Sequence, residues 1–237
     1  MGKPFEIRKE ISLEGTPDQV WQAIATGPGL AAWFMPMELD LDSPVVTSHE
    51  PGRRLGIRMP SSPDGSFHAF DYRIEPAGPG QVELRFGHSG FTSDDWGDEF
   101  EAVTAAGWDM YLHTLSQYLA HFPGRPAHYV EAEGPPASAD DEGWPRLLAA
   151  IGLTEPVKEG TGVRFDLPAF GAVEGVVDYA ASTFLGLRAP SALIRFHGRG
   201  RLGMPVAVSM HVYVSTSFDI EGAQRAWEAW LAGVFDS

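Results

Sequence analysis

The chain has 237 residues, of which 43% are hydrophobic and 21% charged, and its formal net charge is −15. That charge disfavours nucleic acid and anionic membrane surfaces as partners. The absence of cysteine excludes disulfides, thiolate zinc sites and cysteine nucleophiles. The N-terminus lacks an apolar core run and no stretch approaches the roughly 18 apolar residues that span a bilayer, so we expect a soluble, cytoplasmic protein.

The first elements are a strand and a helix. Residues 5–13 alternate between apolar and polar side chains, which predicts a strand. Residues 16–19, Thr-Pro-Asp-Gln, are typical of a helix start, because a threonine cap, a proline at the first helical position and a glutamine three residues after the cap form a capping box. We expect residues 27–29 to end this helix and a short helical segment to follow over residues 30–34.

The next region changes to a period of two. Residues 35–41, 55–59, 70–74 and 82–86 each place apolar side chains on one face, and charged side chains occupy the alternate positions of the later segments. This pattern predicts an antiparallel sheet with one buried face. A long helix is then predicted from about residue 98 to 122, with an apolar stripe that includes Trp108.

A similar order begins again after residue 126, with a strand at 128–133, a helix containing Trp144, further strands and a final helix containing Trp227. Trp21 and Trp144 are 123 residues apart, and Trp108 and Trp227 are 119 apart. We therefore predict an internal duplication with domains at 1–122 and 127–237. The alternative is one α+β domain in which the two tryptophan spacings coincide by chance.

Three stretches of the first half resemble a known family: residues 10–24 (EISLEGTPDQVWQAI), 29–34 (GLAAWF) and 107–112 (GWDMYL). They are similar to the Hsp90-ATPase-activator-homologue (AHSA1-like) branch of the START/Bet v 1-like, or SRPBCC, superfamily. The resemblance covers residues 5–122; the second half is more faintly similar and lacks the short-helix motif. It implies an α+β helix-grip fold, in which a curved antiparallel sheet wraps a long C-terminal helix and a cavity between them holds an apolar small molecule.

The bulky residues that the alternation and the resemblance place inward are the candidate ligand-binding set. Methionine and aromatic side chains adapt well to irregular apolar ligands. The competing interpretation is that these residues simply fill the core. The candidates are Trp33, Phe34, Met37, Met59, Phe70, Tyr72, Phe86, His88, Trp108 and Tyr111, and Met35 is also expected to point inward.

Catalytic motifs are absent from the sequence: it has no His-Glu-x-x-His, Walker A or Gly-x-Ser-x-Gly motif. Residues 198–203 match Gly-x-Gly-x-x-Gly, but a strand pattern follows, so we expect a hairpin turn there. His68 and His88 extend two inward strand faces by one step. With Tyr72 they are the candidate catalytic residues, and the alternative is that both histidines are hydrogen-bonded residues at the rim.

We expect neither a metal nor a cofactor. Two histidines without a third ligand make a poor metal site. The acidic residues at 94–101 lack EF-hand spacing and are interpreted as a solvated approach to the long helix. In the second half, the facing of His197 and His211 is ambiguous.

Three functions follow from the resemblance and the inward residues. The first is a carrier, sensor or sequestering protein for an apolar or aromatic small molecule, with a link to natural-product metabolism. The second is a polyketide aromatase/cyclase-like enzyme, which would hold a reactive chain in a folded pose and move protons with a polar residue. The third is an Hsp90 co-chaperone-like interaction protein, which only the family name supports. The sequence predicts no oligomeric state.

Overall fold

The computed structural model describes residues 3–92 and 100–236, which belong to two compact units. Unit 1 ends at Arg125 and unit 2 begins at Pro126. Within the described ranges, the helices are all too short or too polar to cross a membrane.

In its described residues, unit 1 is a five-stranded antiparallel sheet with three α-helices. Its strands lie in the order β1-β5-β4-β3-β2, so the first strand of the unit pairs with the last. The elements are β1 (Lys3–Glu14), α1 (Pro17–Ala25), α2 (Gly27–Ala31), β2 (Val46–Glu50), β3 (Arg54–Arg58), β4 (Phe67–Gly78), β5 (Gln81–Thr92) and α3 (Phe100–His121).

The predicted capping box is present at the start of α1. The Gln19 backbone N–H donates to Thr16 Oγ1 at 3.2 Å, and the Thr16 backbone N–H donates to Gln19 Oε1 at 2.8 Å. Helix α2 begins at Gly27 rather than at residue 30, because Thr26 accepts a hydrogen bond from the Gly29 N–H at 3.0 Å and so caps a new helix. The prediction of a helix over residues 30–34 is therefore wrong in its bounds.

The inner face of the sheet packs on α3, as the alternation predicts. Phe5, Ile7 and Leu13 of β1 are buried, and so are Leu112 and Leu115 of α3. Residues 35–41 form no strand, contrary to prediction. The Asp42 N–H donates to the Asp40 side chain and the Ser43 N–H to the Asp40 carbonyl, so a turn replaces the expected sheet pairing. The predicted acidic approach to α3 lies mostly in residues 93–99, outside the described residues.

Unit 2 is a six-stranded antiparallel sheet in the order β6-β11-β10-β9-β8-β7. Strand β9 was not predicted, because its apolar residues run consecutively and its first four residues are all buried, so no alternation marks it. The elements are β6 (His128–Glu133), α4 (Gly143–Ala150), β7 (Gly162–Leu167), β8 (Gly171–Ala181), β9 (Phe184–Ala189), β10 (Ala192–His197), β11 (Ala207–Val212) and α5 (Ile220–Phe235).

Both sheets follow one rule of strand order: the first strand lies beside the last, and the others follow as a meander. In each unit the chain then continues into a long helix, α3 or α5. The predicted α+β helix-grip class is confirmed. The shared order supports the duplication over 1–122 and 127–237, which stays a prediction. The glycine-rich residues 198–203 connect the antiparallel strands β10 and β11, as expected of a turn.

Candidate functional site

An aromatic cluster surrounds Trp108 on the inner face of the unit 1 sheet. We use this name for Phe34, Phe70, Phe86, Trp108 and Tyr111. The Trp108 ring lies 4.3 Å from Phe86 and 5.6 Å from Phe34, nearly parallel to the latter, and Tyr111 meets Phe34 edge-on at 4.8 Å. Phe86 and Trp108 are buried, whereas Phe34, Phe70 and Tyr111 are only half-buried. Three of the five rings therefore keep part of their surface exposed.

Trp108 also begins a hydrogen-bond chain through two histidines. Its indole Nε1 donates to His88 Nδ1 at 2.9 Å, and His88 Nε2 lies 3.0 Å from His68 Nδ1. Register brings the histidines together, since His88 of β5 pairs with Phe70 of β4 and His68 is two residues before Phe70 on the same face.

The direction of donation along these hydrogen bonds follows from the first donor, the Trp108 indole. An indole nitrogen can only donate, so His88 Nδ1 is an acceptor and the proton of neutral His88 is on Nε2. That proton is donated to His68 Nδ1, which leaves the proton of neutral His68 on its own Nε2. The chain thus ends in an N–H group of His68, a half-buried residue.

Both histidines are neutral at pH 7. Burial, reinforced by the nearby His68, lowers the pKa of His88 to about 4. Burial also lowers the pKa of His68. The surroundings of His88 explain the effect, because Phe70 stacks on its ring at 4.5 Å and Phe5 meets it edge-on at 5.0 Å. Apolar rings on two sides disfavour the imidazolium.

Phe5 and Phe100 belong to this site although the sequence analysis did not select them. Phe5 contacts His68, His88 and Phe100 at ring distances of 5.0 to 5.6 Å. The apolar–polar alternation of β1 was a sufficient signal to identify Phe5 as an inward-facing residue. Its partner in the register is Gly90, and a Cβ at Gly90 would lie 2.9 Å from the Phe5 ring, so the glycine leaves room for it.

Trp33 and Tyr72 are buried core residues. Trp33 is fully buried, and its Nε1 donates to the Ala23 carbonyl at 2.9 Å, which ties the end of α1 to the segment after α2. Tyr72 packs on Phe86 at 5.0 Å, and burial raises its pKa. Neither belongs to the histidine chain.

The inward facing predicted for three methionines is wrong. Met35, Met37 and Met59 are 37 to 43% exposed. Met35 and Met37 lie in the segment that forms no strand, and Met59 follows the last residue of β3, so no sheet directs these side chains inward. The Met59 N–H donates to the His68 carbonyl at 2.9 Å, which places Met59 beside the histidine pair.

The corresponding region of unit 2 is a tightly packed apolar core. Trp227 packs between Phe165, Phe196 and Trp230 at ring distances of 5.7 to 6.0 Å. Its buried indole nitrogen has no hydrogen-bond partner among the described residues. The inner face of β11 carries Val208, Met210 and Val212 instead of histidines.

The alternation of unit 2 settles the facing of its histidines. Ile194 and Phe196 belong to the core that contacts Trp227, so His197 of β10 points to the other face of the sheet, and so does His211 of β11. His197 Nε2 lies 3.3 Å from Ser209 Oγ, and burial lowers its pKa to about 3. Within the described ranges of the chain, no three metal-ligating side chains are close enough to hold an ion.

No family model matches the chain, and no curated protein matches it by sequence. Solved structures do resemble it. The Aha1 dimer protein from Colwellia psychrerythraea is 20% identical over 48% of this chain and 96% of its own, with a TM-score of 0.40. An AHSA1-like protein from Rhizobium etli is 21% identical over 52% of this chain and 86% of its own, with a TM-score of 0.39.

Two of the matches extend over both units. The di-domain ARO/CYC protein BexL of the BE-7585A biosynthetic pathway is 13% identical over 98% of this chain and 99% of its own, with a TM-score of 0.40. DynU16, a protein of the dynemicin biosynthetic locus, is 15% identical over 97% and 95%, with a TM-score of 0.38. The likeness concerns the fold alone and assigns no role to any residue. In its strand order and its long helix, unit 1 has the helix-grip fold that the sequence resemblance implies.

Proposed function

We propose that unit 1 binds an apolar or aromatic small molecule on the accessible side of the aromatic cluster. The observation that carries the proposal is the half-burial of Phe34, Phe70 and Tyr111 around the buried Trp108. A flat ligand stacked there would replace water on three rings at once. Burial of about 300 Å² of apolar surface is worth roughly 7 kcal/mol before association costs, so micromolar affinity is the upper expectation.

The ligand also needs a hydrogen-bond acceptor. His68 ends the chain that begins at Trp108, and the donor left at that end is His68 Nε2–H. A carbonyl or ether oxygen on an otherwise apolar ligand would accept this hydrogen bond, and a hydrocarbon would not. Ligands with one ketone are therefore expected to bind more tightly than matched hydrocarbons.

Tryptophan fluorescence and native mass spectrometry test the binding. A panel of polycyclic aromatic ketones and fatty ligands should quench the fluorescence, and protein purified from its own host should carry a small molecule. Phe70→Asp should abolish the quenching, because it places a carboxylate against the rings. Phe170→Asp is the matched control, since Phe170 is 40% exposed and belongs to unit 2. Equal effects of the two variants, or no quenching by any ligand, would contradict the proposal.

A second candidate function is catalysis of the polyketide aromatase/cyclase type, favoured by the hydrogen-bonded pair His68 and His88. Neutral His68 would act as a donor at Nε2 rather than as a base. A hydrogen bond to a ketone oxygen makes its carbon more electrophilic. When an enol carbon of the same substrate attacks, the enol C=C bond supplies the new C–C bond and the electron pair of the ketone C=O bond moves to the ketone oxygen, where this N–H stabilises it. The enol oxygen becomes a carbonyl, and the proton that it loses is taken up by the new alkoxide oxygen.

Variants of His88 separate the two functions. A synthetic poly-β-carbonyl thioester is incubated with the protein, and the cyclised products are compared with those formed without protein. If the protein is an enzyme, His88→Phe should lower kcat and leave KM nearly unchanged, because it removes the group that orients His68. His88→Gln, whose side-chain oxygen accepts from Trp108 and whose amide donates to His68, should restore part of the rate. A product distribution identical to the protein-free one leaves binding as the function.

A further inference from the structure

We propose that the outer face of the unit 1 sheet holds a second site, for a small organic anion. A groove of about 700 Å³ lies there, within the size range of small-molecule sites. Its floor consists of positions with little or no side chain, Gly56, Ala69, Gly87 and Ser89. Register makes this floor continuous, because Ala69 pairs with Ser89 and Gly87 pairs with Asp71, which in turn pairs with Gly56.

Two arginines at one side of the floor are held by a shared carboxylate. Arg54 Nε donates to Asp71 Oδ1 at 2.9 Å, and Arg73 Nε donates to Asp71 Oδ2 at 2.8 Å. Each guanidinium is thus oriented through Nε alone, and its two Nη groups have no further partner among the described residues. The remaining N–H groups match the planar oxygens of a carboxylate or the oxygens of a phosphate.

A third arginine extends this wall. Arg58 is on the same face of β3 as Arg54, with Gly56 between them. Its guanidinium carbon lies 3.6 Å from the centre of the Phe67 ring, a cation–π contact. Among the described residues, the ion pairs of Arg54 and Arg73 involve one carboxylate, that of Asp71. Glu50 lies opposite Arg54 in the register of β2 and β3, so three arginines face two carboxylates. A local excess of positive charge in a chain with a net charge of −15 points to an anionic ligand.

The opposite wall is neutralised by its own ion pairs. Arg8 Nε and Nη2 contact Glu6 Oε1 at 2.9 and 2.8 Å, and Arg85 lies within 3.5 Å of Glu10 and Glu75. The anionic group therefore belongs at the β3–β4 wall, and the uncharged body of the ligand extends over the glycine floor toward β1. The site fits a molecule with one carboxylate or phosphate at one end.

An NMR titration of the full chain tests this site with three probes: phenyl phosphate, benzoate and the neutral benzyl alcohol. We expect saturable shifts of the Gly56, Gly87 and Ser89 amides and of the Arg54 and Arg73 Nε–H signals with the anions, and none with benzyl alcohol. The anion that binds more tightly identifies the preferred group, phosphate or carboxylate. Added salt should weaken the binding.

Two variants test the groove itself. Gly87→Val should fill the floor without breaking the strand, since a Cβ at Gly87 meets its nearest neighbour at 3.9 Å, an ordinary contact. Arg54→Gln removes the positive charge and the guanidinium N–H groups and leaves Asp71 paired with Arg73. Each should weaken anion binding by about tenfold or more. Arg164→Gln in unit 2 is the control, because Arg164 is an exposed strand arginine paired with Glu174.

The results separate this site from the aromatic cluster. Phe34→Ala, on the inner side of the unit, should impair ligand binding at the cluster and leave the anion titration unchanged. The proposal is overturned if the anions cause no saturable shifts, if benzyl alcohol shifts the same signals equally, or if Gly87→Val and Arg54→Gln bind phenyl phosphate and benzoate as tightly as the unmodified chain.

Discussion

Trp108 and Trp227 are the buried tryptophans of the two long helices, and their indole groups differ in one respect: Trp108 Nε1 donates to His88 Nδ1 at 2.9 Å, whereas Trp227 Nε1 is buried with no acceptor among the described residues. A buried donor without an acceptor costs free energy, and a buried acceptor that loses its donor does too. The two helices therefore respond differently to the same substitution.

Replacement of each tryptophan by phenylalanine measures this difference. Both variants lose packing volume. Trp108→Phe also leaves His88 Nδ1 without its hydrogen-bond donor, whereas Trp227→Phe removes an N–H group that has no acceptor among the described residues. We expect Trp108→Phe to cost about 1–2 kcal/mol more of the free energy of unfolding than Trp227→Phe. Urea unfolding of the two variants, followed by circular dichroism, gives the comparison. Equal losses would mean that the Trp108–His88 hydrogen bond contributes nothing to stability.

Stability should decrease in mild acid because of His88. Its pKa is about 4 in the folded chain, below the ordinary value of 6.5, so between these values the unfolded chain binds the proton and the folded chain does not. The contribution is fully present above pH 6.5 and is lost as the pH falls toward 4, by about 3 kcal/mol in total. Chemical denaturation at several pH values measures it.

His88→Gln isolates this contribution. His68 and His197 also have lowered pKa values, so both proteins lose stability in acid, but the variant should lose less between pH 6.5 and 4. The same dependence on pH in the variant and the unmodified chain would show that His88 is not kept neutral by the fold.

Two glycines of β5 differ in what an added methyl group would meet. A Cβ at Gly90 would overlap the Phe67 carbonyl oxygen and lie 2.9 Å from the Phe5 ring, whereas a Cβ at Gly87 would be 3.9 Å from its nearest neighbour. Gly90→Ala should therefore cost about 2 kcal/mol or more, and Gly87→Ala should be neutral or slightly stabilising. Thermal unfolding of both variants distinguishes the positions; equal midpoints would contradict the close approach at Gly90.

The buried ion pair of unit 2 should depend on both partners. Arg195 and Asp178 are almost fully buried, and the two guanidinium Nη atoms donate to the two carboxylate oxygens at 2.9 and 3.0 Å. Asp178→Leu should cost about 3–5 kcal/mol, because it leaves a buried guanidinium without its carboxylate. Asp178→Leu combined with Arg195→Met should recover a large part of that loss in denaturant unfolding. A double variant as unstable as the sum of the single ones would contradict this coupling.

The sequence by itself determined much of the inner face of unit 1. A period of two placed Phe70, Tyr72, Phe86 and the two histidines on one side of the sheet, because successive side chains of a strand point to opposite faces. The capping box at residues 16–19 was equally readable, since its hydrogen bonds join residues three apart.

Only the tertiary structure decided which of these residues meet. The bond from Trp108 to His88 joins residues 20 apart in the chain and depends on how α3 packs on β5, which no local pattern encodes. The methionines were misplaced because alternation gives facing only while a strand continues, and Met59 follows the end of β3. The outer groove was not predicted, for a related reason. Its floor residues become neighbours only through strand register; they are Gly56, Ala69, Gly87 and Ser89. Register is set by pairing between segments distant in sequence.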